Sequence, residues 1–184
     1  SSMLNFISVC KVEKATPQQA LVFAGIDEVA QKKVKIYLYY LQRQQEIYAL
    51  DFDDLILKTV DIFKAYPEVL AKWQRRFSHI LVDEFQDIDK TQYTLIRLLT
   101  GNDNDLLVVG DPDQTIYTWR GADVNIIMHF EKDFPSSKTI ILNQNYRSTD
   151  CILNGANGLI KHNKNRIDKE LFTEDSSEVK ITHY

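Results

Sequence analysis

The fold of this chain is decided by one stretch, HILVDEFQD at residues 79–87. Its apolar run predicts a buried strand at residues 80–83, and the acidic side chains that follow predict that the end of this strand opens into a site. A second predicted strand, at residues 106–109, ends in the same way with GDPDQ at residues 110–114. Because a helix is predicted between the two strands, we expect a crossover and a parallel pair whose ends face one crevice.

Helical patterns surround these strands, whereas residues 1–16 show no clear period. The other predicted elements are a short and a long helix over residues 17–48, a helix capped by Asp51, a helix from Pro67 to about Arg76, an amphipathic helix from Ile88 to Leu99, a helix capped by Asp123, a third strand at Thr139 to Leu142, a helix capped by Ser148 or Thr149, and a short strand at Val179 to Thr182. This order predicts an α/β protein with a helical N-terminal part.

The chain has 184 residues, of which 44% are hydrophobic, and a net charge of −4. This composition is ordinary for a globular protein, and no apolar run is long enough to cross a membrane. Cys10 and Cys151 form neither a metal-type pair nor a disulfide framework, and no secretory leader is present, so we expect a cytoplasmic protein. Because the net charge is negative, nucleic-acid binding would have to rely on a local groove and on aromatic stacking.

The acidic pair Asp83 and Glu84 is the first candidate for chemistry. An aspartate at the end of a strand can hold hydrated Mg²⁺, and an adjacent carboxylate can orient or deprotonate an attacking water. Gln114 follows the second strand, so its amide can reach the same phosphate, and Gln86 and Asp87 add polar groups. The alternative for the acidic pair is two solvated carboxylates at the end of a strand.

Two further groups combine aromatic rings with arginine. Tyr117, Trp119 and Arg120 lie in one loop, an arrangement that suits the stacking of unpaired bases, although a tryptophan is as often packed in a core. Tyr146 and Arg147 follow the third predicted strand, where an arginine can stabilise a transferred phosphate and a tyrosine can lie on a nucleobase. Taken alone, the second pair is more often a surface arginine and a packed tyrosine.

Three runs together resemble superfamily 1 DNA helicases of the UvrD/Rep/PcrA type. They are VDEFQD at residues 82–87, VGDPDQTIYTWRGA at residues 109–122 and LNQNYRS at residues 142–148. The resemblance is strongest from Leu50 to Ser148. It implies part of a RecA-like P-loop NTPase domain, in which helices flank a parallel sheet, together with an N-terminal helical subdomain.

The same resemblance implies three parts of the chain. Residues 1–48 look like the remainder of a helical insertion subdomain, residues 49–142 like the C-terminal part of the first RecA-like domain, and residues 143–184 like the start of the second. The implied activity is ATP-dependent 3′ to 5′ translocation on single-stranded DNA, with unwinding of duplex DNA in replication and repair.

The resemblance also implies how the site residues bind ATP and Mg²⁺. Asp83 resembles the metal-binding aspartate, and Glu84 resembles the residue that activates water. Gln114 resembles the sensor of the γ-phosphate, and Arg147 resembles the arginine that reaches that phosphate from the second motor domain. Tyr146 resembles the ring that packs on adenine.

The aromatic loop resembles the part of these helicases that contacts the tracking strand. Trp119, with Tyr117, resembles the aromatic surface on which a base stacks, and Arg120 is expected to support the loop or the coupling network beside the DNA. Thr118 departs from the family pattern, which often has arginine at this position, so one DNA or coupling contact is in question.

One departure is larger, because none of the six glycines lies in a Gly-x-x-x-x-Gly-Lys-Ser/Thr run. Without such a phosphate-binding loop, the chain is expected to be a fragment of a longer helicase and to be inactive alone. Loss of the strand that feeds this loop would leave unpaired strand edges. We therefore expect self-association, exchange of an element, or closure of the gap by the strand at residues 139–142.

Two other functions remain open at this point. The parent protein can be the helicase subunit of a recombination helicase-nuclease, a question that the C-terminal sequence would answer. Alternatively, the chain can be a non-enzymatic module that binds single-stranded DNA through the aromatic loop.

Overall fold

The structure is a computed structural model that describes residues 2–164 and 166–177. The helices are α1 (Ser2–Val12), α2 (Pro17–Ala24), α3 (Glu28–Glu46), α4 (Phe52–Ala65), α5 (Pro67–Arg76), α6 (Lys90–Leu99), α7 (Asn125–Met128), α8 (Phe130–Asp133) and α9 (Asp150–Ile160). The strands are β1 (His79–Val82) and β2 (Asp105–Val108). Single 3-10 turns cover Phe85–Asp87, Pro112–Gln114 and Thr118–Arg120.

The two strands form a parallel pair that positions the site. Their register runs from His79 opposite Asp105 to Val82 opposite Val108. The ladder continues past the strands, where the amide of Phe85 donates to the carbonyl of Val109 at 2.9 Å. Helix α6 connects the strands, so the predicted crossover and the predicted parallel pairing are both confirmed.

A small apolar core lies directly under the ends of the two strands. Phe85 is completely buried and packs with Ile88 and Ile126, and its ring meets the rings of Tyr93 and Phe130 edge-on. Burying a phenylalanine side chain stabilises a fold by about 1.5–3 kcal/mol. The acidic residues beside Phe85 are therefore attached to a rigid base.

Residues 2–12 form α1, a helix that was not predicted because the sequence shows no clear period there. Ile7 and Cys10 of α1 pack against Tyr37 of α3. The ammonium group of Lys11 lies 2.6 Å from a carboxylate oxygen of Asp51 and 2.8 Å from one of Asp54. These contacts join residues 40 and 43 positions apart, so the helix is fixed by tertiary contacts rather than by a pattern within its own sequence.

Most predicted helix boundaries lie close to the observed ones. Asp51 caps α4, as predicted, and the structure adds a reciprocal hydrogen bond from Asp54 that completes a capping box. Helix α6 begins at Lys90 rather than at Ile88, because Asp89 caps it and the preceding residues form a 3-10 turn. The single helix expected after Asp123 is divided into α7 and α8.

The strand predicted at residues 139–142 is wrong. This segment has no regular secondary structure, and Ile140 and Leu142 are exposed. The next residues pair instead with the C-terminal part of the chain, where Gln144 and Phe172 form a parallel bridge. An apolar run becomes a strand only where a neighbouring strand offers backbone partners, and within the described residues none lies beside it.

The gap in the sheet is therefore not closed by residues 139–142, which removes one of the three outcomes expected for the unpaired strand edges, while self-association and exchange of an element stay predictions. The sheet has two strands in the described part of the chain, and Leu81, Leu107 and Val109 leave apolar surface exposed around it. The strand expected at residues 179–182 lies outside the described residues. Over residues 2–164 and 166–177, no helix is both long enough and apolar enough to span a bilayer.

Candidate functional site

The buried side chain of Gln86 joins the ends of the two strands. Gln86 is only 1% exposed. Its Nε2 donates to Oε2 of Glu84 at 2.9 Å and to Oδ2 of Asp87 at 3.3 Å, and its Oε1 accepts from the backbone amide of Asp111 at 3.0 Å. Because a buried amide with satisfied donors and acceptor is costly to move, Gln86 fixes the two loops relative to each other.

Gly110 allows this close approach. A Cβ atom at Gly110 would lie 2.7 Å from Oε1 of Gln86 and 3.1 Å from the amide nitrogen of Phe85. Both distances are shorter than van der Waals contact, so a side chain at this position would push the two strand ends apart. The motif at residues 110–114 was predicted to follow the second strand, but the contact of Gly110 with Gln86 was not predicted.

Asp83 and Glu84 lie at the protein surface at the end of β1. Oδ1 of Asp83 accepts from the amide of Glu84 at 2.9 Å, and Glu84 has left-handed backbone angles, with φ 50° and ψ 43°. Their exposed carboxylates are accessible to a hydrated cation. Among the described residues there is no group of three or more potential metal-ligating side chains. Two adjacent exposed carboxylates are a donor set that fits Mg²⁺, because Mg²⁺ prefers oxygen donors, takes few protein ligands and retains water or phosphate oxygens.

Gln114 is linked to Glu84 through two intervening residues, Gln86 and Asp111. Nε2 of Gln114 donates to Oδ2 of Asp111 at 2.8 Å, and the amide of Asp111 is the group held by Gln86. Burial alone would raise the pKa of Asp111, but hydrogen bonds from Lys169 and Gln114 hold that pKa below its usual value. Asp111 is therefore ionised at neutral pH and provides a fixed negative partner for Gln114.

The aromatic loop lies open to solvent. Trp119 is 63% exposed, so the ring is not part of a core. The centroids of the Tyr117 and Trp119 rings are 6.2 Å apart, and the guanidinium carbon of Arg120 lies 5.9 Å and 5.5 Å from them. Gly121 ends the 3-10 turn with a φ of 96°, a conformation that glycine adopts without strain. Exposed rings beside an arginine can stack on an unpaired base.

Tyr146 and Arg147 are both exposed, and the structure does not join them to the acidic pair. Asn145 turns the chain here, because its Oδ1 accepts from the amides of Arg147 and Ser148 at 2.9 Å and 2.7 Å. The hydroxyl of Tyr146 donates to Gln144 at 2.9 Å. Within the described part of the chain, no side-chain hydrogen bond or ion pair links Tyr146 or Arg147 to the strand-end loops.

The basic side chains that reach the loop after β2 were not among the predicted site residues. Lys169 forms an ion pair with Asp111, and Nε of Arg166 lies 3.5 Å from Oδ2 of Asp113. Asn163 also donates to Asp113, at 3.2 Å. These partners lie 50 or more positions away along the chain, so no local pattern could have indicated them.

These features place the chain among α/β proteins whose candidate site lies at the carboxyl ends of parallel strands. The family model for the UvrD/REP helicase N-terminal domain matches residues 1–135. The chain therefore belongs to the UvrD/REP helicase family, as its three motif runs predicted.

Similar curated proteins carry the description ATP-dependent DNA helicase PcrA. The relative from Staphylococcus epidermidis is 48% identical over 178 residues, which is 97% of this chain and 24% of the relative. The relative from Leuconostoc citreum is 43% identical over 184 residues, which is 100% of this chain and 24% of the relative. A relative from Staphylococcus aureus is 48% identical over 178 residues. The chain thus spans about a quarter of the length of the curated relatives it matches.

Proposed function

We propose that this chain is the part of an ATP-dependent DNA helicase that joins one side of the nucleotide site to the surface for single-stranded DNA. The parent protein would couple ATP hydrolysis to 3′ to 5′ translocation and to unwinding of duplex DNA. The observation that carries the proposal is the series of hydrogen bonds from Glu84 through Gln86 and Asp111 to Gln114. Membership of the UvrD/REP helicase family and the names of the relatives support it.

On the nucleotide side, we assign each residue one task. Asp83 would hold Mg²⁺, which when bound screens phosphate charge. Glu84 would accept a proton from the attacking water. Gln114 keeps its carbonyl oxygen free of hydrogen bonds to the described residues, so this oxygen can accept from a water beside the terminal phosphate. Arg147 would neutralise that phosphate, and Tyr146 would pack on adenine.

On the DNA side, Tyr117 and Trp119 would provide the stacking surface, and Arg120 would hold both rings and add positive charge. The support is the exposure of these rings and the position of the guanidinium group beside them. Stacking is also the mode that suits a chain with a net charge of −4. Each base stacked on a ring contributes about 1–3 kcal/mol to binding.

The proposed architecture is a RecA-like motor divided at residues 48 and 142. Separate apolar clusters in the N-terminal helices support the first boundary, and the bridge between Gln144 and Phe172 supports the second. The apolar side chains exposed beside the two-stranded sheet support self-association of the isolated chain. A cytoplasmic location stays a prediction.

The chain contains no Gly-x-x-x-x-Gly-Lys-Ser/Thr run, so hydrolysis would require the rest of the parent protein. The decisive substitution is therefore made in the complete helicase. We expect Glu84→Gln to lower DNA-stimulated ATPase activity by roughly 10²–10⁴-fold, the usual contribution of a general base, while nucleotide binding persists. Asp103→Asn, at an exposed loop residue, is the charge-matched control. A twofold or smaller effect of Glu84→Gln would contradict the assignment.

The DNA surface can be tested with the chain itself by tryptophan fluorescence. Trp73→Phe leaves Trp119 as the remaining tryptophan, because the chain has two. We expect oligo(dT) to quench this variant and to leave the matched Trp119→Phe variant unchanged. Equal responses would refute stacking on Trp119. If quenching shows tight binding and the complete protein lacks ATPase activity, the chain is a module that binds single-stranded DNA. The exposure of Trp119 also favours this second function.

A further inference from the structure

The carboxylate of Asp111 has two partners in its own loop and one from the C-terminal part of the chain. One oxygen, Oδ2, accepts from Nε2 of Gln114 at 2.8 Å. The other oxygen, Oδ1, accepts from the backbone amide of Asp113 at 3.0 Å and forms an ion pair with the ammonium group of Lys169. The side chains of Asp111 and Lys169 are only 21% and 15% exposed, so water screens this pair weakly.

Arg166 contacts both the backbone of Lys169 and the side chain of Asp113. Nη2 of Arg166 donates to the carbonyl oxygen of Lys169 at 2.8 Å. Nε of the same guanidinium lies 3.5 Å from Oδ2 of Asp113, whose side chain is 6% exposed. The backbone of Lys169 is thus anchored to the loop that carries Asp111 and Gln114, which reduces the entropy cost of ordering the lysine side chain.

Charge gives this contact a consequence beyond packing. The loops at the two strand ends carry five aspartate or glutamate side chains close to where an anionic polyphosphate would bind: Asp83, Glu84, Asp87, Asp111 and Asp113. Lys169 and Arg166 neutralise the last two. Without Lys169, Asp111 would remain partly buried without its cation, and its interaction with the Gln114 amide would change.

We propose that Lys169 is a positioning residue for Gln114 and that it acts through the carboxylate of Asp111. The ion pair and the backbone amide of Asp113 orient the carboxylate, and the carboxylate in turn orients the Gln114 amide. Movement of the residues that follow α9 would then alter Gln114 without any of them touching the nucleotide. This inference rests on the proposed function, because the task of Gln114 belongs to that proposal.

The first test is direct and independent of activity. In the chain labelled for NMR, the side-chain amide signal of Gln114 is identified by its loss in Gln114→Ala. We expect Lys169→Met to shift this signal and Lys169→Arg to shift it less, because arginine retains the charge. Lys164→Met removes an equal charge from an exposed lysine with no ion pair to the described residues, and it should leave the signal in place. An unchanged signal in Lys169→Met overturns the inference.

The second test measures coupling in the complete helicase. We expect Lys169→Met to lower kcat for DNA-stimulated ATP hydrolysis by roughly tenfold or more, because small displacements of a catalytic group have large kinetic effects. The KM for ATP should change much less, and Lys169→Arg should recover most of the rate. In a Gln114→Ala background, Lys169→Met should have little further effect, because both substitutions disable the same step.

The outcomes separate the two proposals. If the unsubstituted complete helicase shows no DNA-stimulated ATPase activity, the proposed function fails, whatever the NMR result. If that activity is present but Lys169→Met has the same kcat as Lys164→Met, the positioning proposal fails and the proposed function stands. The same conclusion follows if Lys169→Met lowers kcat by the same factor in the Gln114→Ala background as in the unsubstituted protein.

Discussion

Replacing Gln86 with leucine tests the contact that joins the two strand ends. Leucine fills a similar volume but cannot hydrogen-bond. The substitution leaves the partly buried amide of Asp111 without its acceptor at 3.0 Å and removes the Nε2 donor that reaches Glu84 at 2.9 Å and Asp87 at 3.3 Å. We expect a less stable protein in which the two loops move independently.

The expected change in the free energy of unfolding follows from the loss of this acceptor and of this donor. A buried donor left without a partner costs about 1–3 kcal/mol, and a hydrogen bond to a charged group contributes about 1.5–3 kcal/mol. Glu84 is exposed, so water replaces part of the second contribution. The free energy of unfolding should therefore fall by about 3 kcal/mol for Gln86→Leu.

Urea unfolding followed by tryptophan fluorescence and by far-UV circular dichroism measures this change. Gln45→Leu is the control, because Gln45 is exposed and makes no side-chain hydrogen bond with the described residues. Its effect should stay within about 0.5 kcal/mol.

Gln86→Glu keeps the acceptor for Asp111 but places a carboxylate beside Glu84. The repulsion should raise the pKa of the introduced group, so the stability of this variant should fall as the pH rises through that raised pKa. A loss below about 1 kcal/mol for Gln86→Leu would refute the reasoning, since even one unsatisfied buried donor costs that much.

Three further predictions concern packing and charge. Gly110→Ala should destabilise the protein by about 1–3 kcal/mol through overpacking, whereas the matched Gly158→Ala, with no atom within 4 Å of the new Cβ, should be neutral or stabilising in urea unfolding. Lys11→Met should cost about 3–5 kcal/mol, because it leaves carboxylates without their cation, while Lys14→Met at an exposed pair should cost less than about 1 kcal/mol. Burial opposes ionisation of Asp51, yet hydrogen bonds, first that from Lys11, lower its pKa from 3.8 to about 2. Its stabilising contribution should therefore be complete above pH 3.8 and lost as the pH falls to about 2, in an acid titration that the Asp51→Asn variant does not reproduce.

The parts of the fold that the sequence predicted depend on neighbouring residues. The cap at Asp51 and the start of α5 at Pro67 are determined by local sequence. Asp51 accepts a hydrogen bond from a free amide of α4, and Pro67 has no amide hydrogen that would need a partner in the first turn of α5. The parallel strand pair was also predictable, because a helix between two apolar runs leaves few other topologies.

The features that were predicted wrongly or not at all depend on partners that are distant in sequence. Residues 139–142 have the composition of a strand, yet no described strand lies beside them to complete a ladder. Helix α1 has no useful period and is stabilised by the contacts of Lys11 with α4 and its cap. In the candidate site, Glu84 and Gln114 could be identified from their motifs, whereas the contacts of Gln86 and Lys169 with the loop at Asp111 required the folded chain.

The left-handed backbone of Glu84 has a consequence for directed evolution. A non-glycine residue in this conformation costs about 1–2 kcal/mol, so Glu84→Gly would relax the main chain at the position that carries the proposed base. Glycine also loses the acceptor that Nε2 of Gln86 reaches at 2.9 Å, so the two effects offset each other and a library selected for heat resistance alone should accept glycine or asparagine here about as readily as glutamate. Only selection for turnover would keep the carboxylate at this codon.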